Sequence, residues 1–250
     1  MKATDIPTGA TLIPKVFHLT SKTKQVDARV KKNLERIHEL YPEYEIVIHD
    51  DTELWRFIKD SHPGYLENTI SRMPEFIMVV DTVRYLWMQS YGGIYVDTDV
   101  YFRRRHDFED GVILVEREWT YPEDDSIRDS VHNCLLASEP GHPLWSALLD
   151  GISSNVDAID SSSSRPADSP LVRRAKKALV RLRLKSPERT DVFDVTGPNA
   201  ISKIITEHAL LSAYGDVHVL PGSTIFQEGR SAGSIDAAAF VHEAAGSWKS

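Results

Sequence analysis

Apolar residues recur along this chain with two periods. LIPKVFHLT, residues 12–20, is a short apolar run that reads as a first strand, with Pro14 near its start where a strand tolerates it. Val30, Leu34, Ile37 and Tyr41 then fall three or four apart, the spacing of one helical face, and predict a helix over 27–40. YEIVIH, 44–49, predicts a second strand, and Asp51 or Thr52 can cap the helix TELWRFIKD after it. This strand-helix alternation opens an α/β domain with a largely parallel sheet. Pro74 suits the first position of the next helix and Glu75 complements its dipole. EFIMVVDTVRYLWMQS is apolar nearly all round, which predicts a buried helix ending at about Ser90, with Gly92 to stop it. Strands are expected at Ile94–Val96 and Gly111–Val115, a helix over 143–152, a helix near 199–211 and a strand at 217–220.

Two stretches break the pattern. Residues 153–170 are serine-rich and short of core residues, which predicts a mobile loop inside one domain of residues 1–250, since strands resume beyond it. Residues 173–185, RRAKKALVRLRLK, form a basic amphipathic helix on paper. Such a run is a solvated face or a contact with an anionic membrane surface or acceptor. No internal repeat is visible.

Composition removes several classes. A formal net charge of −8 argues against nucleic acid as a partner, because a phosphate backbone needs a basic face. One cysteine, Cys134, is expected to exclude an internal disulfide and any cysteine-based zinc site. No apolar run approaches the roughly 20 residues that span a bilayer, and the N-terminal residues carry no apolar signal core. The expectation is a cytoplasmic chain. A Golgi-type or secreted chain from which an anchor had been trimmed would read the same way.

The chemistry is concentrated in GGIYVDTDVYF, residues 92–102. Two aspartates at the end of an apolar strand repel each other and resist desolvation unless a cation lies between them. On a strand, Asp97 and Asp99 point to the same side and offer a hard, oxygen-rich site for Mn²⁺ or Mg²⁺. The end of a strand in an α/β sheet is also where ligands bind. In the preceding apolar helix Asp81 and Arg84 lie three apart, so they share a face. They form either a structural ion pair or a pair aimed at a polar ligand near the metal.

The string VVDTVRYLWMQSYGGIYVDTDVYF resembles the signature of the "DXD" sugar-transferase family, the Och1-like glycosyltransferases of family 32, to which clostridial glucosylating toxins are distantly similar. IPKVFHLT, Asn133 with EPGHP, Thr196-Gly197-Pro198 and His242 with Gly246-Ser247-Trp248 resemble further segments of that family. A tryptophan that usually follows the first strand's histidine is replaced by Leu19-Thr20-Ser21. The resemblance implies a GT-A-type, Rossmann-like α/β fold with a mixed, mostly parallel sheet. It also implies a nucleotide-diphosphate-sugar donor, linked to GDP (as in GDP-mannose) or UDP, a divalent Mn²⁺ or Mg²⁺ cofactor, and transfer of a hexose with retention to a glycan, lipid or small-molecule acceptor. By the same resemblance Asp97, Asp99 and His242 hold the metal. His18, Leu19, Asp81, Arg84, Asp97, Gly197 and Trp248 contact the donor, and Asp81, Arg84, Asp97, Asp99 and Asn133 serve catalysis. Two rivals stay open: a haloacid-dehalogenase-type phosphatase using Asp97 and Asp99, and a non-catalytic sugar-nucleotide-binding protein.

Overall fold

The chain alternates short strands with helices that cover both faces of one sheet. A computed structural model describes residues 12–119, 125–162, 189–228 and 234–243. The strands are β1 (Val16–Thr20), β2 (Glu45–His49), β3 (Gly93–Val96), β4 (Val100–Phe102), β5 (Val112–Val115), β6 (Leu135–Ser138), β7 (Val217–Leu220), β8 (Ile225–Phe226) and β9 (Phe240–His242). The helices are α1 (Ala28–Leu40), α2 (Asp51–Ser61), α3 (Pro63–Asn68), α4 (Phe76–Tyr91), α5 (Pro143–Ser162), α6 (Arg189–Val195), α7 (Pro198–Glu207) and α8 (Leu210–Ala213).

Six strands form the central sheet in the order β2-β1-β3-β6-β5-β7. All run in one direction except β6, which pairs antiparallel with β3 and with β5. This is the mixed, mostly parallel sheet expected of a GT-A-type fold. A second, three-stranded sheet has the order β4-β9-β8. Alternation along the central strands divides the core. Tyr95, Val112, Leu114 and Leu136 face α2, α4, α5 and α7. Phe17, Leu19, Ile94, Val96, Ile113, Val115, Leu135 and Ala137 face α1 and the small sheet.

Several boundaries differ from the sequence reading, each for a local reason. Asp50, not Asp51 or Thr52, caps α2, because its carboxylate accepts from Glu53 N–H while Glu53 reaches back to the Asp50 N–H. Helix α4 begins at Phe76 with Glu75 in extended conformation, so Pro74 lies outside it. The expected helix over 199–211 is two helices, separated where Ala209 takes a left-handed conformation at φ 48°. The serine-rich stretch is helical through Ser162. Ile152 and Val156 bury one face of α5, Ser153 Oγ hydrogen-bonds Thr69 Oγ1, and Ser154 donates to the Asp150 carbonyl one turn back. Residues 163–170 and the basic segment 173–185 lie outside the described residues. Strand β6 was not anticipated. Its CLLAS run lacks period-two alternation because both of its faces are buried.

Two glycines set the chain direction into the site. Gly92 ends α4 at φ 61°, and a Cβ there would lie 2.6 Å from the Ser138 carbonyl and the Pro140 nitrogen. Gly93 follows at φ 86°, where a Cβ would meet the Val16 side chain at 2.7 Å. Only glycine allows both the sharp reversal and the close approach to β1 and β6.

Candidate active site

Strand β3 stops at Val96, and Asp97-Thr98-Asp99 form a turn rather than a continuation of the strand. The Asp97 N–H donates to the Cys134 carbonyl at 2.9 Å, and the Val100 N–H donates back to the Asp97 carbonyl at 3.0 Å. The strand rule that predicted a shared side therefore does not apply. Convergence comes from the turn and from the small sheet. Val100 pairs with His242 in the β4–β9 register, and the Glu243 N–H donates to the Asp99 carbonyl at 3.0 Å. Ligand atoms of Asp97, Asp99 and His242 consequently lie within 4.8 Å of one another. His242 Nε2 is 3.6 Å from Asp99 Oδ1. Their side chains are 25, 21 and 16% exposed, so an ion from solvent can reach them. Two carboxylate oxygens and one imidazole nitrogen are a donor set that fits Mn²⁺ or Mg²⁺.

Beneath this cluster is a buried polar network on α4. Asp81 and Arg84 are only 5% and 4% exposed. Arg84 Nη2 is 2.8 Å from Asp81 Oδ1, and Arg84 Nη1 is 3.3 Å from Asp97 Oδ1. Nη1 also donates to the Asn133 carbonyl at 2.7 Å. The guanidinium stacks over the Tyr95 ring, with its carbon 4.7 Å from the centroid. The ion pair is thus present, and it is tied to the metal cluster through Asp97. Burial would favour a neutral Arg84, yet Asp97, Tyr95 and Asp81 hold it firmly charged. Burial, with Asp97 adding to it, pushes the Asp81 carboxyl up to about 6 against the pull of Arg84. Asn133 Nδ2 and Thr196 Oγ1 each donate to Asp81, both at 3.2 Å. Asn133 therefore stands behind Asp81 and holds it.

Three residues that sequence reasoning missed complete the network. Tyr95 donates its hydroxyl to Asp97 Oδ1 at 2.6 Å, and Thr20 Oγ1 lies 3.2 Å from that hydroxyl. Thr196 joins from the loop before α7. Tyr95 was recoverable, since it precedes Asp97 by two positions on the same side of β3. Thr20 and Thr196 become neighbours only through tertiary structure. Buried Asn33 on α1 fixes β4 beside the site, donating to the Val100 carbonyl at 2.7 Å and accepting from the Phe102 N–H at 3.3 Å.

The other predicted donor contacts are placed differently. Leu19 has a fully buried side chain in the core facing α1, so it can offer a ligand only its backbone. Alternation along β1 requires this, because Phe17 and Leu19 share the apolar side. His18 faces the opposite layer, stacked near Trp87 and Tyr91, with Nδ1 3.0 Å from His49 Nε2. Burial, then His49, lowers its pKa to about 4. Its side chain is a packed neutral imidazole, not part of an open surface. Gly197 is buried at the start of α7, where a Cβ would crowd Phe193 and Val192 at 3.0 Å. It lets the loop turn so that neighbouring Thr196 reaches Asp81. Gly246 and Trp248 lie outside the described residues.

Comparison with known proteins agrees with this geometry. Residues 27–117 match the family described as "Glycosyltransferase sugar-binding region containing DXD motif". Among curated relatives, "Mannosyl phosphorylinositol ceramide synthase SUR1" of Saccharomyces cerevisiae is 33% identical over 95 residues, covering 38% of this chain and 25% of the relative. "Inositol phosphoceramide mannosyltransferase 2" of Schizosaccharomyces pombe is 29% identical over 148 residues, covering 59% and 41%. The chain thus spans about a quarter to two fifths of the length of these relatives. Among solved structures, the ligand-free glycosyltransferase domain of the YGT toxin aligns with a TM-score of 0.53 at 12% identity, covering 84% of this chain and 80% of that one. The PaToxG glycosyltransferase aligns at 0.52 and 15% identity, covering 82% and 73%. The resemblance read from the Asp81–Asp99 string holds over residues 27–117, and the fold is that of these glycosyltransferase domains.

Proposed function

We propose that this chain is a metal-dependent glycosyltransferase that moves a hexose, with retention, from a nucleotide-diphosphate sugar to a hydroxyl acceptor. The observation that carries the reading is the convergence of Asp97, Asp99 and His242 within 4.8 Å, joined through Asp97 to the buried Asp81–Arg84 pair. A divalent ion at such a site would offset the charge of a leaving nucleoside diphosphate. Asp97, Asp99 and His242 would hold that ion. Arg84 keeps Asp97 oriented. Tyr95 fixes the carboxylate of Asp97 from the other side. Asp81, held by Asn133 and Thr196, supplies an acceptor for sugar hydroxyls. Mannose carried by GDP is the first donor to test, because the curated relatives are named as mannosyltransferases and mannosyl synthases.

Trp55 on α2 and Phe76 at the start of α4 support an acceptor side at the same end of the sheet. Both helices begin at the carboxyl edge of the parallel strands, and the two rings lie 5.9 Å apart, each residue 41% exposed. Sugar rings and lipid headgroups both pack on such aromatic surfaces. A phosphorylated lipid is the acceptor class that the relatives' names suggest. The phosphatase reading is disfavoured, because Arg84 and His242 surround the aspartates where that chemistry wants a lysine and a further acidic pair.

The deciding experiment is a panel of GDP- and UDP-sugars with Mn²⁺, read as nucleoside diphosphate released with and without acceptor, alongside an aryl phosphate. Release of GDP or UDP from one donor, with no aryl phosphate hydrolysis, is expected. Phosphate release from the aryl ester without turnover of any donor would overturn the reading.

A further inference from the structure

A second cluster lies against the first, and two of its three residues, His132 and Cys134, have no role in the transfer described above. His132, Cys134 and His242 also bring ligand atoms within 4.8 Å of one another. His132 and Cys134 are buried, and they flank Asn133, which faces Asp81. The His132 and His242 rings lie 6.1 Å apart at 84°, edge to face. His242 Nδ1 is buried and has no hydrogen-bond partner among the described residues, while Nε2 is the nitrogen near Asp99. A buried imidazole nitrogen left unpaired costs free energy, and coordination of an ion would satisfy it.

We propose that His132, Cys134 and His242 form a thiolate-containing site for zinc-class ions, sharing His242 with the Asp97–Asp99 cluster. Ligand chemistry separates the two. The two-carboxylate cluster is hard and suits Mn²⁺ or Mg²⁺, whereas two imidazoles and a thiolate favour Zn²⁺ or Co²⁺. Three protein ligands leave a fourth tetrahedral position for water. Coordination breaks the Cys134 S–H bond, the electron pair stays on sulfur, and one proton per ion passes to the buffer. A neutral imidazole has one free lone pair, so His242 that ligates an inner ion through Nδ1 keeps its proton on Nε2 and cannot ligate an outer ion there. Zn²⁺ in the inner cluster therefore withdraws a ligand from the outer one and antagonises Mn²⁺.

The binding test uses Co²⁺ alone on the full, metal-stripped chain and does not depend on the proposed activity. One Co²⁺ per chain should give a near-ultraviolet thiolate-to-cobalt charge-transfer band. Cys134→Ser and Cys134→Ala, each checked for native circular dichroism, should abolish the band. His132→Ala should weaken binding about tenfold or more. Asp97→Asn should keep the band. Absence of the band in the wild-type chain, or its survival in both Cys134 variants, would overturn the site. A second arm, which does rest on the transferase reading, measures the Mn²⁺ concentration for half-maximal donor turnover. Zn²⁺ should raise it in the wild-type chain, and about tenfold more Zn²⁺ should be needed in Cys134→Ser. A band without turnover of any donor would leave the site standing and the transferase reading refuted.

Discussion

Asp99 and Arg84 are both charged residues of the site, yet their removal has opposite consequences for stability. Asp99 is partly exposed, and Asp99→Asn relieves repulsion with Asp97 without opening a cavity. The variant should melt within a few degrees of wild type and lose most metal-dependent donor turnover, as EDTA should for the wild-type chain. Full turnover in EDTA would remove the metal from the account. Arg84 is buried between Asp81 and Asp97, so Arg84→Ala strands a buried carboxylate and should cost about 3–5 kcal/mol in urea unfolding. A loss below about 1 kcal/mol would show that Asp81 does not rely on this pair. Asp81→Asn tests the other side of the pair. It keeps the side-chain shape but only one accepting oxygen for Asn133 and Thr196 and leaves Arg84 paired with Asp97 alone, so it should lower the melting temperature as well as raise donor KM.

At the scale of elements, the turn from α4 into β3 aims the whole cluster. Gly92 and Gly93 occupy positive φ, and both lack room for a Cβ. Gly92→Ala should destabilise the fold by more than about 1 kcal/mol, because strain and a clash with β6 add together. It should also lower turnover in the protein that remains folded, since β3 carries Tyr95 and leads into Asp97. A thermal scan with residual-activity measurement separates the two effects, and unchanged melting would mean that the reversal relaxes freely. These glycines, the buried α4 and the aspartates were legible in the sequence because each shows itself locally: a period, a breaker, a like-charge pair. The small sheet was not. Strands β4, β8 and β9 are two or three residues long, too short for any period to appear, and β4 and β9 pair across more than a hundred positions. The same holds for Asn33, an ordinary polar residue until the fold carries it to β4, whereas Thr196 was visible as part of a motif but its contact with Asp81 was not. Which side of β1 the Leu19 side chain takes was not legible, because a motif matched by type does not say which side of a strand is apolar.

For the molecule as a whole, neutral buried imidazoles predict how acid acts. Burial lowers His18 and His49 to about 4 and His132 to about 3, all below the ordinary value of 6.5. The unfolded chain therefore takes up these protons first, and stability falls as pH drops from about 6.5 toward 4. One such histidine contributes a loss on the order of 3 kcal/mol by pH 4, and His18 and His49, being in contact, count as less than two. Asp81 works the other way, since its raised pKa makes the folded state the better proton binder between its ordinary 3.8 and about 6. The histidines outnumber it, so the urea midpoint should be lower at pH 4.5 than at pH 7. His18→Leu, which suits the aromatic layer around it, should shrink that difference. An equal or larger difference in the variant would place the acid sensitivity elsewhere. The separation of His242 from the aspartates also has a consequence for biosynthesis. A ribosome-bound chain that has emerged through β3 already displays Asp97 and Asp99, but β4 has no partner strand and the pair has no imidazole until β9 is made. Assembly of the Asp97–Asp99–His242 cluster is thereby postponed until β9 has emerged.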